Sequence, residues 1–266
     1  MHDFTYHRPS SIDEAVKVLG SAEDGALLSG GQTLIPTLKQ GLAMPSDVVD
    51  LSGLGNAGIT VSGSTVTIKA GTCHADVAAS AELKGAIPAL AELAEGIGDP
   101  QVRNRGTIGG SIANNDPAAD YPAACLGLGA TIRTNSREIA ADDFFVDMFE
   151  TALEPGEIVT EIVFPVPAKA GYAKFPNPAS RYALVGVFVA ETGGGVRVAV
   201  TGAGPCVFRS GELESALSGG LSEGALDGIS LTADNLNGDI HASPEYRAHL
   251  IAVMARRAVA HANGNG

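Results

Sequence analysis

The sequence predicts an α+β protein built as two successive units, residues 1–167 and residues 168–266. Three observations predict it. Short apolar runs and hairpin patterns mingle with stretches of helical spacing through the first unit. Pro165, Pro167 and Pro176, with Gly171, punctuate the junction. Beyond them two β runs come first and helical stretches follow, so the second unit reads as a small sheet followed by helices. A chain of 266 residues has ample material for such cores.

The elements follow in order. Phe4 to Pro9 reads as a short strand. Ser10 or Ser11 caps a helix whose apolar face is Ala15, Val16, Val18 and Leu19, with Asp13 and Glu14 in its first turn. Ala26-Leu27-Leu28 is a strand that runs into Ser29-Gly30-Gly31-Gln32-Thr33-Leu34-Ile35-Pro36, with helix expected from Thr37 to Gln40. Asp47 to Leu51 is strand-like, and Ile59 to Gly71 alternates around Gly63-Ser64 as a hairpin. Ala75 to Ala94 reads as two helices interrupted at Gly85 and Pro88. Tyr121 to Leu128 is a helix, residues 130–139 form a hairpin around Asn135-Ser136, and Asp142 to Thr151 is a short helical piece. Glu157 to Pro165 is the strand that closes the first unit. In the second, Ala183 to Ala190 and Val196 to Val200 are strands joined at Gly193 to Gly195. Helices run from Glu212 to Leu217 and from Pro244 to about His261, the last capped by Ser243 with proline at its first position.

Composition removes several classes of function. With 30 acidic against 17 basic residues the net charge is −13, the opposite of a nucleic-acid footprint. No apolar run approaches the length of a membrane span, and the start Met1-His2-Asp3-Phe4 lacks a secretion signal, so a cytoplasmic location is expected. Cys73, Cys125 and Cys206 lie far apart and offer no zinc or iron–sulfur cradle, and the six histidines form no ligand pattern. The chain is expected to carry no metal of its own.

Two glycine-rich stretches stand out. One is Ser29 to Pro36, a strand-to-helix bend. The other is Gly106 to Asp120, read as too irregular for a strand and too rich in glycine for a stable helix. The first matches neither G-x-G-x-x-G nor G-x-x-x-x-G-K-[ST]. Backbone amides on such turns can cradle anions, and two cradles in one unit fit a ligand with two phosphates, such as FAD. Asp120 can accept from a ribose hydroxyl, bind a basic group, or cap the helix from Tyr121. Arg103 and Arg105 can face a diphosphate, bind a carboxylate of another chain, or lie solvated on a loop. No nucleophile–base pair or pair of catalytic acids can be made out, so the chemistry would belong to a cofactor.

Three motifs, Ser29 to Pro36, Asp99 to Ser111 and Asp116-Pro117-Ala118-Ala119-Asp120, resemble the FAD-binding medium subunits of molybdenum hydroxylases, the carbon monoxide dehydrogenase and xanthine dehydrogenase group. Tyr172 to Phe175, Ala179 to Ala183, Ser243 to Arg247 and Arg256-Arg257-Ala258 resemble that family's C-terminal domain, so the resemblance spans nearly the whole chain. It implies an FAD-binding domain of the PCMH type, two α+β subdomains with FAD between them, then a small domain of three antiparallel strands plus helices. It implies that the backbone of Ser29, Gly30, Gly31, Gln32, Thr33 and Leu34, and of Thr107, Ile108, Gly109, Gly110 and Ser111, holds the FAD diphosphate. By the same resemblance Asn114 and Asp120 contact the cofactor, Val159 packs near its flavin or adenine end, Lys174 lies at the flavin's side, and Tyr182 covers one isoalloxazine face. Two positions depart. Ile97 stands where xanthine dehydrogenases carry a phenylalanine, which leans toward the carbon monoxide dehydrogenase branch. Ser111 replaces a frequent asparagine or aspartate. Ala203 to Arg209 follows the family only loosely.

The resemblance further implies a molybdenum cofactor and 2Fe-2S clusters on partner chains. The partners would be a small iron–sulfur subunit and a large molybdenum subunit, assembled as a dimer of heterotrimers that passes electrons to an external acceptor. Against it stand a self-sufficient FAD-dependent oxidase or dehydrogenase of the same fold and a non-enzymatic nucleotide-binding module.

Overall fold

A computed structural model describes residues 1–264. The chain opens with β1 (Thr5–His7), α1 (Ile12–Ser21), β2 (Gly25–Leu28), α2 (Leu34–Gln40) and β3 (Asp47–Asp50). Ser11 caps α1 by accepting from the Glu14 amide, and Glu14 reaches back to the Ser10 amide, closing the first turn. The strands form a parallel sheet in the order β1-β3-β2. Its core is thin: Ala15 and Val49 pack with Ile158 from far along the chain.

The second body is a five-stranded antiparallel sheet in the order β4-β5-β10-β6-β7. Its strands are β4 (Ile59–Ser62), β5 (Thr65–Lys69), β6 (Thr131–Thr134), β7 (Glu138–Ala140) and the late β10 (Val159–Pro165), which inserts between the two hairpins. Between β5 and β6 come α3 (His74–Ala79), α4 (Ala81–Ala86), α5 (Pro88–Glu95), α6 (Pro100–Arg103), α7 (Ile108–Asn114) and α8 (Tyr121–Leu128). Leu90, Ile112, Ile132, Ile162 and Phe164 are fully buried in the largest core here.

Several elements differ from expectation. Residues 75–94 lie in three helices, because Ser80 ends α3 and caps α4 through the Leu83 amide. Helix α9 stops at Phe144 (Ala141–Phe144), and the hairpin of β8 (Phe145–Asp147) and β9 (Glu150–Thr151) replaces the rest of the expected helix. The stretch after Gly106 is not irregular: α7 runs straight through Gly109 and Gly110. The Thr107 hydroxyl accepts from the Gly110 amide, and Asn115 ends the helix at φ +43.

The last sheet is antiparallel, ordered β11 (Lys169–Pro176), β12 (Ala183–Thr192), β13 (Gly195–Thr201), β14 (Phe208–Arg209). The proline-marked junction is therefore largely strand, and the expected three strands gain a short fourth that pairs with β13. Helix α10 (Gly211–Ala216) and the long α11 (Pro244–Ala262) cover this sheet, Ile251, Met254, Ala258 and Val259 packing against Val187, Val189 and Val198. Among the described residues no helix is long and apolar enough to cross a membrane.

Candidate cofactor site

A cavity of about 1150 Å³ separates the parallel sheet from the antiparallel one, with Ser180, Arg181 and Tyr182 at its rim. Its position follows from topology. The turn Ser29 to Thr33 leaves the carboxyl end of β2, and Leu51 to Gly55 leaves that of β3, where ligands settle in parallel sheets. The volume suits a dinucleotide.

The first turn supplies the donors. Gly31 adopts φ +74, and the N–H groups of Gly30, Gly31, Gln32 and Thr33 donate to no protein acceptor among the described residues. Four successive amides without a protein acceptor, on residues that line a cavity, are the donors an anion cradle uses, and they require a ligand or water. In the second segment most amides are already engaged. Ile108 donates to the Thr72 carbonyl (3.1 Å), Gly109 to Ala70 (2.9 Å), Gly110 to the Thr107 hydroxyl (3.1 Å) and Ser111 to the Thr107 carbonyl (3.0 Å).

Gly106 and Gly109 of the second segment, and Gly30 of the first, serve close packing. A Cβ on Gly30 would overlap the Arg105 carbonyl, one on Gly109 would overlap Ala70, and one on Gly106 would sit 2.6 Å from the His74 ring. The two segments touch directly, and the Ser29 and Thr107 hydroxyls bond across the seam at 2.8 Å.

Of the residues picked out in the sequence, Ser29 to Leu34, Thr107, Gly109, Gly110, Ser111, Asn114, Asp120, Val159 and Tyr182 all line this cavity. Two do not. Ile108 is wholly buried in the core beneath the helix. Lys174 sits behind the wall, its Nζ 3.0 Å from the Asp120 carboxylate and 2.9 Å from the Gly96 carbonyl. Asp120 makes no helix cap; it accepts from Lys174 and from the Tyr172 hydroxyl. Burial raises the Asp120 carboxyl above the usual range, and Lys174 and Tyr172 oppose that shift. Burial at the rim, with Asp116 and Asp120 nearby, pushes the Tyr182 phenol up. Arg103 turns inward to the carbonyls of Ile97 and Gly98, whereas Arg105 stays exposed at the cavity.

Sequence reasoning missed three parts of the lining: His74, the loop Leu51 to Ala57 and the loop Leu153 to Ile158. His74 is held neutral, pushed down to about 4 by burial and by Arg103, and its Nδ1 has no partner among the described residues. The glycine pair Gly53 and Gly55 after β3 was the available signal for the second. The third is held by Glu157, which accepts from both Nε and Nη2 of Arg137 at 2.8 Å.

No group of three metal-ligating side chains occurs among the described residues. Residues 2–167 match the family described as the FAD binding domain in molybdopterin dehydrogenase. The chain is 34% identical over 278 residues to the carbon monoxide dehydrogenase medium chain of Hydrogenophaga pseudoflava, covering 96% of each. It is 34% identical over 273 residues to the nicotine 6-hydroxylase medium subunit of Paenarthrobacter nicotinovorans, covering 97% of this chain and 96% of that one. The structure of reconstituted CO dehydrogenase from Oligotropha carboxidovorans superposes with a TM-score of 0.90 at 35% identity over 99% of both chains. A match over residues 2–167 and relatives of this likeness along nearly their whole lengths place the chain in the family of FAD-binding domains of the molybdopterin dehydrogenases.

Proposed function

We propose that this chain is the FAD-carrying electron-transfer subunit of a heteromeric molybdenum hydroxylase. On this reading a large subunit holds the molybdenum cofactor, a small subunit holds 2Fe-2S clusters, and the trimers pair. FAD, when bound, supplies the redox chemistry that passes electrons from those clusters to an external acceptor. The observation that carries the reading is the row of unpaired amides from Gly30 to Thr33 facing a dinucleotide-sized cavity. Likeness to medium chains over nearly their full lengths supports the assembly.

In this reading residues 1–167 form the FAD-binding domain and residues 168–266 the C-terminal one. The Gly30 to Thr33 amides hold the diphosphate. The second segment contributes chiefly the Ser111 hydroxyl and Asn114, because the amides from Ile108 to Ser111 and the Thr107 hydroxyl are engaged within the protein. Asp120 faces the ribityl and flavin region, and Tyr182 and Ile97 wall the isoalloxazine. Val159 and the Leu153 to Ile158 loop enclose the adenine end. Lys174 acts behind Asp120 and not on the flavin itself. The complex works in the cytoplasm.

The test is purification from the native source, with partners, metals and flavin determined together. The expected result is one FAD per chain, with iron and molybdenum on two co-purifying subunits. Recovery of the chain alone, without iron or molybdenum and turning over a small molecule, would point to a self-sufficient flavoenzyme and overturn the proposal.

A further inference from the structure

Arg181 joins two walls of the cavity. Its backbone lies in the left-handed region at φ +62, a strained choice for a long side chain. Asn177 holds that conformation. Its Oδ1 accepts from the amides of Ala179 (2.9 Å) and Ser180 (3.2 Å), and its carbonyl accepts from the Arg181 amide (2.9 Å). The Asn177 amide in turn donates to the Tyr182 carbonyl at 2.8 Å, so the loop presents Tyr182, 46% exposed, at the cavity rim.

The Arg181 side chain reaches the opposite way along the sequence. Its Nη1 donates to the Gly98 carbonyl at 3.0 Å. The same carbonyl accepts from Arg103 Nη1 at 3.1 Å, Arg103 also binds the Ile97 carbonyl at 2.9 Å, and Lys174 binds that of Gly96 at 2.9 Å. Three successive carbonyls are thus held by three cations. Between them Ile97 lines the same cavity as Tyr182.

We propose that Arg181 is a positioning residue that clasps the Gly96 to Gly98 turn and so fixes the gap between Ile97 and Tyr182. The proposal rests on the reading above that this gap receives the isoalloxazine. The backbone of Arg181 aims Tyr182 while its side chain anchors the turn that carries Ile97, so one residue sets both walls. Arg103 alone cannot do this, because it belongs to the same segment as the turn. Lys174 steadies the turn from β11 but carries neither wall.

The test uses the full-length chain, its Arg181→Gln and Tyr182→Ala variants and the double variant, each titrated with FAD. The readouts are flavin fluorescence, visible circular dichroism and the dissociation constant. Tyrosine held against a flavin quenches its emission. Arg181→Gln is expected to brighten bound FAD, change its visible dichroism and weaken binding, because part of the binding energy is then spent on ordering the turn that Arg181 held. In a Tyr182→Ala background the same change should add no further brightening. Arg181→Lys, which keeps the cation and most of the reach, should return the signals toward the parent. Arg181→Gly, which removes the backbone strain with the side chain, should behave as Arg181→Gln does and guards against a folding defect. Failure of the parent chain to bind FAD would overturn the cofactor reading itself. FAD bound alike by parent and Arg181→Gln, with the same emission and dichroism, would overturn the clasp alone.

Discussion

At the scale of single residues, Gly30 decides whether the two segments can meet. Any side chain there collides with the Arg105 carbonyl, whereas a Cβ on Gly110 meets only the Thr107 hydroxyl at 2.9 Å and Ser29 Cβ at 3.7 Å. Gly30→Ala should therefore abolish FAD binding in a titration and destabilise the FAD-free protein by about 1–3 kcal/mol, the usual cost of overpacking. Gly110→Ala should retain FAD with a modest loss. Asp120 gives a second prediction. Its carboxylate and the Lys174 ammonium are both nearly sealed from solvent. Asp120→Ala should cost about 3–5 kcal/mol in denaturant unfolding of the FAD-free protein, because it strands a buried cation. Adding Lys174→Met should recover part of that loss. The glycines themselves were legible in the sequence, but their reason was not. A one-dimensional reading sees freedom for a ligand to approach, while the partner that needs the space lies 75 positions away. Tyr182 and Lys174 became visible only through resemblance, since nothing local distinguishes them, and His74 looked like any lone histidine.

At the scale of elements, α7 is the instructive misreading. Helix propensity counts Gly109 and Gly110 as a penalty of about 1 kcal/mol each against alanine. Tertiary contact overrides it, since the helix can lie against Ala70 only if Gly109 has no side chain. The hairpin of β8 and β9 was similarly hidden, because it is specified from outside: the Asn115 carboxamide donates to the carbonyls of Asp147 and Glu150 at 2.8 Å each. The long strands, the Gly63-Ser64 hairpin and α11 were readable because period, turn residues and caps agreed. One element carries a pH prediction. Hydrogen bonds from Arg137, Ser136, Thr134 and the Glu154 amide hold the Glu157 carboxyl far below its ordinary value of 4.5. A depressed folded pKa gives stability that is complete above the unfolded value and drains away as pH falls below it. Melting temperature should thus fall on acidification from about pH 5, and Glu157→Gln should lower it at neutral pH while flattening that acid slope. A parallel slope in both proteins would show that Glu157 is not the group responsible.

At the scale of the whole molecule, the three cores are unequal. Two are broad, and the one under the parallel sheet rests on Ala15, Val49 and a borrowed Ile158. The cofactor cavity runs along the inner boundary of that weaker body. FAD should act as part of its packing, adding about 2.7 kcal/mol of stability at a concentration one hundred times the dissociation constant. Calorimetry with and without FAD would read this as a selective upward shift of the earliest transition.

The seam between Gly30 and Arg105 has a consequence for biosynthesis. The Ser29 to Thr33 turn is synthesised long before the Arg105 carbonyl it packs against has emerged, and Ile158 arrives later still. A nascent chain stalled near residue 100 holds the first turn without its wall. Cofactor capture should consequently wait until β10 has threaded between the two hairpins and closed the sheet.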